Sequence, residues 1–171
     1  MNAKKNSGLT MRIEVERFSV VSSRPFEEVI AAVNAGIAHP DLAELLPSVQ
    51  QSNSVARMES IIHQAIGEAG LMRFTQFDHG EIIRKGTDRD TPRIVRFLIG
   101  NPLIMKEMVK HVPDAGSYAP VTVLVDERAD RVHLSYDRMA CFLAPYENPA
   151  ALDVARDLDT KIENLLRQAA G

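Results

Sequence analysis

The 171 residues hold one cysteine, Cys141, and no tryptophan. A single thiol excludes an internal disulfide framework and gives no cysteine support to a zinc site. Long apolar runs are missing too: none approaches the ~20 residues of a membrane-crossing helix, so no membrane partner is expected. The first twelve residues lack the apolar stretch of a secretory leader. With the low cysteine usage, this makes the cytoplasm the expected location. Charge of one sign is also absent. Twenty Lys and Arg against 23 Asp and Glu leave a net charge of −3, which offers nucleic acid no basic field, so no nucleic-acid partner is expected. No Gly-rich loop with a following Gly-Lys-Ser/Thr is present, which leaves nucleotide binding weakly supported. His39, His63, His79, His111 and His133 show no pair at the close spacing of a zinc motif. No metal and no cofactor are expected.

What remains is an ordinary globular composition, 45% apolar and 25% charged. Residues 1–10 are polar and predict a disordered N-terminal tail. Residues 11–171 predict a single α+β domain. Met11 to Ser23 reads as a strand whose apolar phase slips near Glu16 to Phe18, which predicts a bulge there. Ser22 to Glu28 is a helix start, with serine caps, Pro25 and two acids in the first turn. Asp41 caps a short helix over Leu42 to Leu46, stopped by Pro47. Val55 to Ala69 predicts a third helix ending at Gly70.

Leu71 to Asp78 reads as a strand, and His79 to Lys85 as either a strand or a helical turn. Arg93 to Ile99 is a strand whose end, Phe97-Leu98-Ile99, is apolar on both faces and is expected to be covered on both sides. Asn101 to His111 predicts a short helix. Val121 to Asp126 and Arg131 to Asp137 form a hairpin. Pro149 to Ala170 is a long amphipathic helix, with Leu152, Ala155, Leu158, Ile162, Leu165 and Ala169 at spacings of three and four. The expected architecture is an antiparallel sheet of about five strands with helices on one face.

Several segments occur in an order that resembles a known family. They are Phe77-Asp78-His79, Phe97-Leu98-Ile99-Gly100-Asn101-Pro102, Pro120-Val121-Thr122-Val123-Leu124-Val125-Asp126-Glu127 and Val132-His133-Leu134-Ser135-Tyr136. From Leu71 onward the chain resembles the domain of unknown function 302 family. The resemblance implies a single-copy fold of the TATA-box-binding-protein-like type, ordered β-α-β4-α, and a homodimer. It brings no established activity. The chain departs from the family in a longer segment from Ala38 to Ala69, which reads as extra helices inserted after the first. It departs again in Gly80-Glu81-Ile82-Ile83, where small residues are usual, and this weakens any shared role for Asp78-His79.

The candidate site residues follow from chemistry. Gly100-Asn101-Pro102 is either a capped helix start or an anion site at free amides. Asp78 and His79 would form an acid–base pair only at a strand end or turn, because strand neighbours face opposite ways. Cys141 sits among Met139, Ala140, Phe142 and Leu143, as a small buried hydrophobe would. Tyr118, Tyr136 and Tyr146 are packing residues or cavity walls. The favoured reading is a small dimeric ligand-binding or sensing module, with an apolar cavity near Gly100, Asn101, Tyr136 and Asp78-His79. The alternatives are an enzyme using Asp78 and His79 on a small molecule, and a protein-interaction module.

Overall fold

The computed structural model describes residues 9–171, so most of the tail expected over residues 1–10 lies outside the described residues. Five strands form one antiparallel sheet: β1 (Arg17–Ser22), β2 (Met72–Asp78), β3 (Ile94–Gly100), β4 (Val121–Glu127) and β5 (Val132–Asp137). Their spatial order is β1-β5-β4-β3-β2, so the first strand pairs with the last. The helices are α1 (Phe26–Ala35), α2 (Leu42–Gln50), α3 (Val55–Ala65), α4 (His79–Arg84), α5 (Pro102–Val109), α6 (Met139–Leu143) and α7 (Pro149–Ala170). The α+β class, the antiparallel sheet and the order β-α-β4-α with inserted helices hold.

Strict alternation in the central strands places the core. Val95, Phe97 and Ile99 on β3, Val121, Val123 and Val125 on β4, and Val132, Leu134 and Tyr136 on β5 are buried on one face. Helix α7 lays Ala155, Leu158, Ile162, Leu165 and Ala169 onto this core, and α1 adds Phe26, Val29 and Val33. The opposite face has less cover. Leu98 and Leu124 are only half-buried there, and Phe77 and Val21 are exposed. Phe97 and Ile99 are thus sealed while Leu98 between them is not.

Several local expectations change. Strand β1 begins only at Arg17 and pairs with β5 without a bulge, so the apolar phase slip marks the edge of the strand. The bulge lies instead in β2, between Arg73 and Thr75. No serine caps α1. Ser22 Oγ accepts from the Arg24 amide at 3.0 Å and donates to the Ala170 carbonyl at 2.7 Å, tying β1 to the end of α7. Asp41 does cap α2, but the helix continues past Pro47 to Gln50 because Leu45 packs with Ile62 of α3 in a second small cluster. Helix α3 ends at Ala65, and Ile66 is extended. Gly70 then takes φ +71, a left-handed conformation that suits glycine.

Candidate functional site

Strand β3 hands over to α5 through Asn101 and Pro102. Asn101 Oδ1 accepts from the Leu103 amide at 2.8 Å, and Nδ2 donates to the Gly70 carbonyl at 2.9 Å. One side chain therefore caps the helix and fixes the loop before β2. Pro102 sits in the first turn, where a missing N–H costs nothing.

A cavity of about 210 Å³ lies beside this turn. Leu46 of α2, Phe74 of β2, Met105 and Met108 of α5, Pro120 and Leu158 of α7 supply much of its wall, with Gly100 and Asn101 at the turn. Met108 and Leu158 belong to the main core, whereas Phe74 packs with the α2–α3 cluster, so the cavity sits at the seam of the two. The bulge in β2 leaves Phe74 without a partner in the ladder and lets its ring reach Gly100. A Cβ on Gly100 would stand 3.5 Å from Phe74 Cε2 and 3.4 Å from Pro120 Cβ. Apolar cavities of about 150 Å³ accept benzene. This one is large enough for one ring or a short branched alkyl group.

The other sequence candidates lie elsewhere. Asp78 Oδ1 accepts from the Glu81 amide at 2.8 Å, which makes Asp78 the cap of α4. Its Oδ2 accepts from Arg84 at 3.2 Å. The His79 ring stacks on Phe77, with centroids 6.1 Å apart. Asp78 borders a polar cleft that also holds His39, Arg73, Phe74, Gln76 and Glu81. Phe74 lines this cleft and the apolar cavity alike. Gly100, Asn101 and Asp78 therefore flank neighbouring hollows, while Tyr136 is not among the lining residues of either.

Tyr136 belongs to a third arrangement under α6 and α7. Its hydroxyl donates to Asp159 Oδ1 at 2.7 Å, and the same oxygen accepts from the Met139 amide at 2.7 Å. Asp159 Oδ2 accepts from the Ala140 amide at 3.1 Å. Asp159, on α7, thus caps α6. Burial raises its carboxyl above the ordinary range, against the opposing pull of these donors. Burial first, and then the Asp159 charge, push the Tyr136 phenol far up. Nearby, Arg138 joins Glu163 at 2.9 Å and Glu16 at 2.7 Å, and Glu163 also holds Arg167 at 2.7 Å. Cys141 is half-buried, and its sulfur accepts from the Glu16 amide at 3.4 Å. Among the described residues, no group of three or more His, Cys, Asp or Glu side chains is arranged to hold a metal ion.

The family described as Domain of unknown function DUF302 matches residues 48–169. The chain belongs to this family. The DUF302 match starts inside α2 and takes in every wall of the cavity except Leu46. At the level of structure, this DUF302 chain is similar to the crystal structure of the uncharacterized conserved protein DUF302 from Bacillus stearothermophilus. The TM-score is 0.63 at 13% identity, covering 90% of this chain and 97% of that one. No curated protein matches the chain. Among the described residues, no helix of this DUF302 protein is long and apolar enough to cross a membrane.

Some residues around these hollows escaped the sequence reading. Phe74 carries no local signal, because nothing in Arg73-Phe74-Thr75 announces a bulge. Asp159 does carry one. It falls four residues after Ala155 and three before Ile162, which puts an acid on the buried stripe of α7.

Proposed function

We propose that the protein is a small-molecule-binding module that takes an apolar group into the cavity at Gly100-Asn101. The supporting observation is the cavity itself: about 210 Å³, apolar, and walled by two separate clusters rather than filled by either. Packed interiors leave few voids larger than a water molecule. A preformed apolar hollow between elements is the usual form of a ligand pocket, though this one suits only a small group.

Methyl-resolved NMR during a benzene titration tests the reading. Shifts confined to Leu46, Met105, Met108 and Leu158 are expected. Saturating benzene without shifts at these methyls overturns it.

The same reading includes a homodimer. Its support is the less covered sheet face, where Phe77 is 45% and Val21 44% exposed beside half-buried Leu98 and Leu124. Sedimentation should give twice the 19.0 kDa chain mass at micromolar concentration. A mass of one chain rejects the dimer and leaves the cavity reading intact.

A further inference from the structure

Resting on the cavity reading above, we infer that the ligand is an amphipathic monocarboxylic acid: a ring or short alkyl group in the cavity, with its carboxylate on Arg73. Residue 73 precedes the bulged Phe74, which lines both the apolar cavity and the polar cleft holding Arg73. Phe74 borders both hollows, so a ligand whose apolar group packs against that ring has its other end directed to the cleft.

The chemistry of the cleft selects the head group. Arg73 Nη1 donates to Asn34 Oδ1 and to Gln76 Oε1, each at 2.9 Å. Both acceptors are neutral amides, so the guanidinium is oriented without being neutralised. Among the described residues, no carboxylate forms a salt bridge with Arg73, whereas Arg84, past the far end of β2, is paired with Asp78. The bond from Nη1 also fixes Gln76 with its carbonyl turned to Arg73, which leaves the amide NH₂ as a donor. Thr75 lines the same cleft. A positioned guanidinium with a neighbouring amide donor matches a carboxylate.

Two acids share the cleft. Asp78 is committed to Arg84 and to the Glu81 amide. Glu81 stands in the first turn of α4 and lines the same hollow. One uncompensated arginine beside one acid favours a singly charged head group over a phosphate dianion.

Calorimetry with benzoate, phenylacetate and 3-phenylpropionate, each against its neutral amide, tests this. Benzene serves as the apolar control. At least one acid is expected to bind roughly tenfold tighter than its amide, the scale of one hydrogen bond to a charged group. Arg73→Gln should erase that preference while benzene binding persists, which also reports that the variant is folded. Glu81→Gln should tighten the acid and leave benzene unchanged. Equal affinity of acid and amide overturns the inference and spares the cavity. So does an acid preference that survives Arg73→Gln, or acid binding loosened by Glu81→Gln. Failure of benzene and every probe to bind removes the cavity reading as well.

Discussion

Two hydrophobic clusters close this molecule, and they are closed differently. Beneath α7, Phe97, Leu134 and Ile162 have no accessible surface, and the polar groups among them are tied by Asp159 and Ser22. The cluster of Leu45, Ile62 and Met72 is small and leans on partly accessible neighbours. Leu46 beside it is 51% exposed. The well-packed region has its side-chain chemistry spent on holding itself together. The thinly packed one supplies, through Phe74, part of the wall of the apolar hollow. On the proposed reading, the hollow opens where the tightly packed cluster, through Met108 and Leu158, meets the thinner one.

The contrast breaks first on core truncation. Phe97→Ala should cost about 3–5 kcal/mol in denaturant unfolding, the range for a large buried aromatic. Ile62→Ala should fall nearer the lower end of its class, about 2 kcal/mol, because its surroundings can collapse. Equal losses would mean that the two clusters behave as one. Next comes the cap on α6. Asp159→Ala strands the Ala140 amide and the Tyr136 hydroxyl proton and leaves the Met139 amide only the Tyr136 oxygen at 3.1 Å, at a cost of about 3 kcal/mol.

The pH dependence of that cap has a definite sign. The folded state holds the Asp159 proton more tightly than the unfolded state does, whose value lies near 3.8. The linked stabilisation is complete below that value and is lost as pH rises through the folded pKa. The stability advantage of wild type over Asp159→Asn should therefore shrink as pH rises from the ordinary carboxylate range. An advantage that grows instead would reject the assignment. The smallest effects sharpen the comparison at the wall and on the sheet. Leu46→Ala should cost under about 1 kcal/mol in stability, given its exposure, yet weaken benzene binding measurably. A double-mutant cycle on the exposed Arg17–Asp137 pair should give no more than about 0.5 kcal/mol.

The split between legible and hidden features follows from range. Helix α7 runs over Pro149–Ala170 as its stripe predicts, because 22 residues of period 3.6 outvote any local exception. Asn101 and Asp41 cap the helices that their own sequence announces. The hairpin of β4 and β5 is equally local. Helix α6 has no side-chain cap from its own N-cap residue, since its cap comes from twenty residues downstream. Pro47 was overruled by packing across to α3. The cavity was half visible: Gly100 and Asn101 mark its rim in sequence, but Phe74 enters only through a bulge and Leu46 only through tertiary placement.

The pairing of β1 with β5 sets an order on assembly. Arg17 meets Asp137, and Ser22 meets Val132, across more than a hundred residues. On a ribosome, β1 emerges long before any partner exists, and its apolar residues must wait. Ser22 then grips Ala170, at the far end of α7. The first strand is locked last, so formation should be slow for a chain of this size, and the unpaired strand is the segment most exposed to capture by chaperones or by other chains during synthesis.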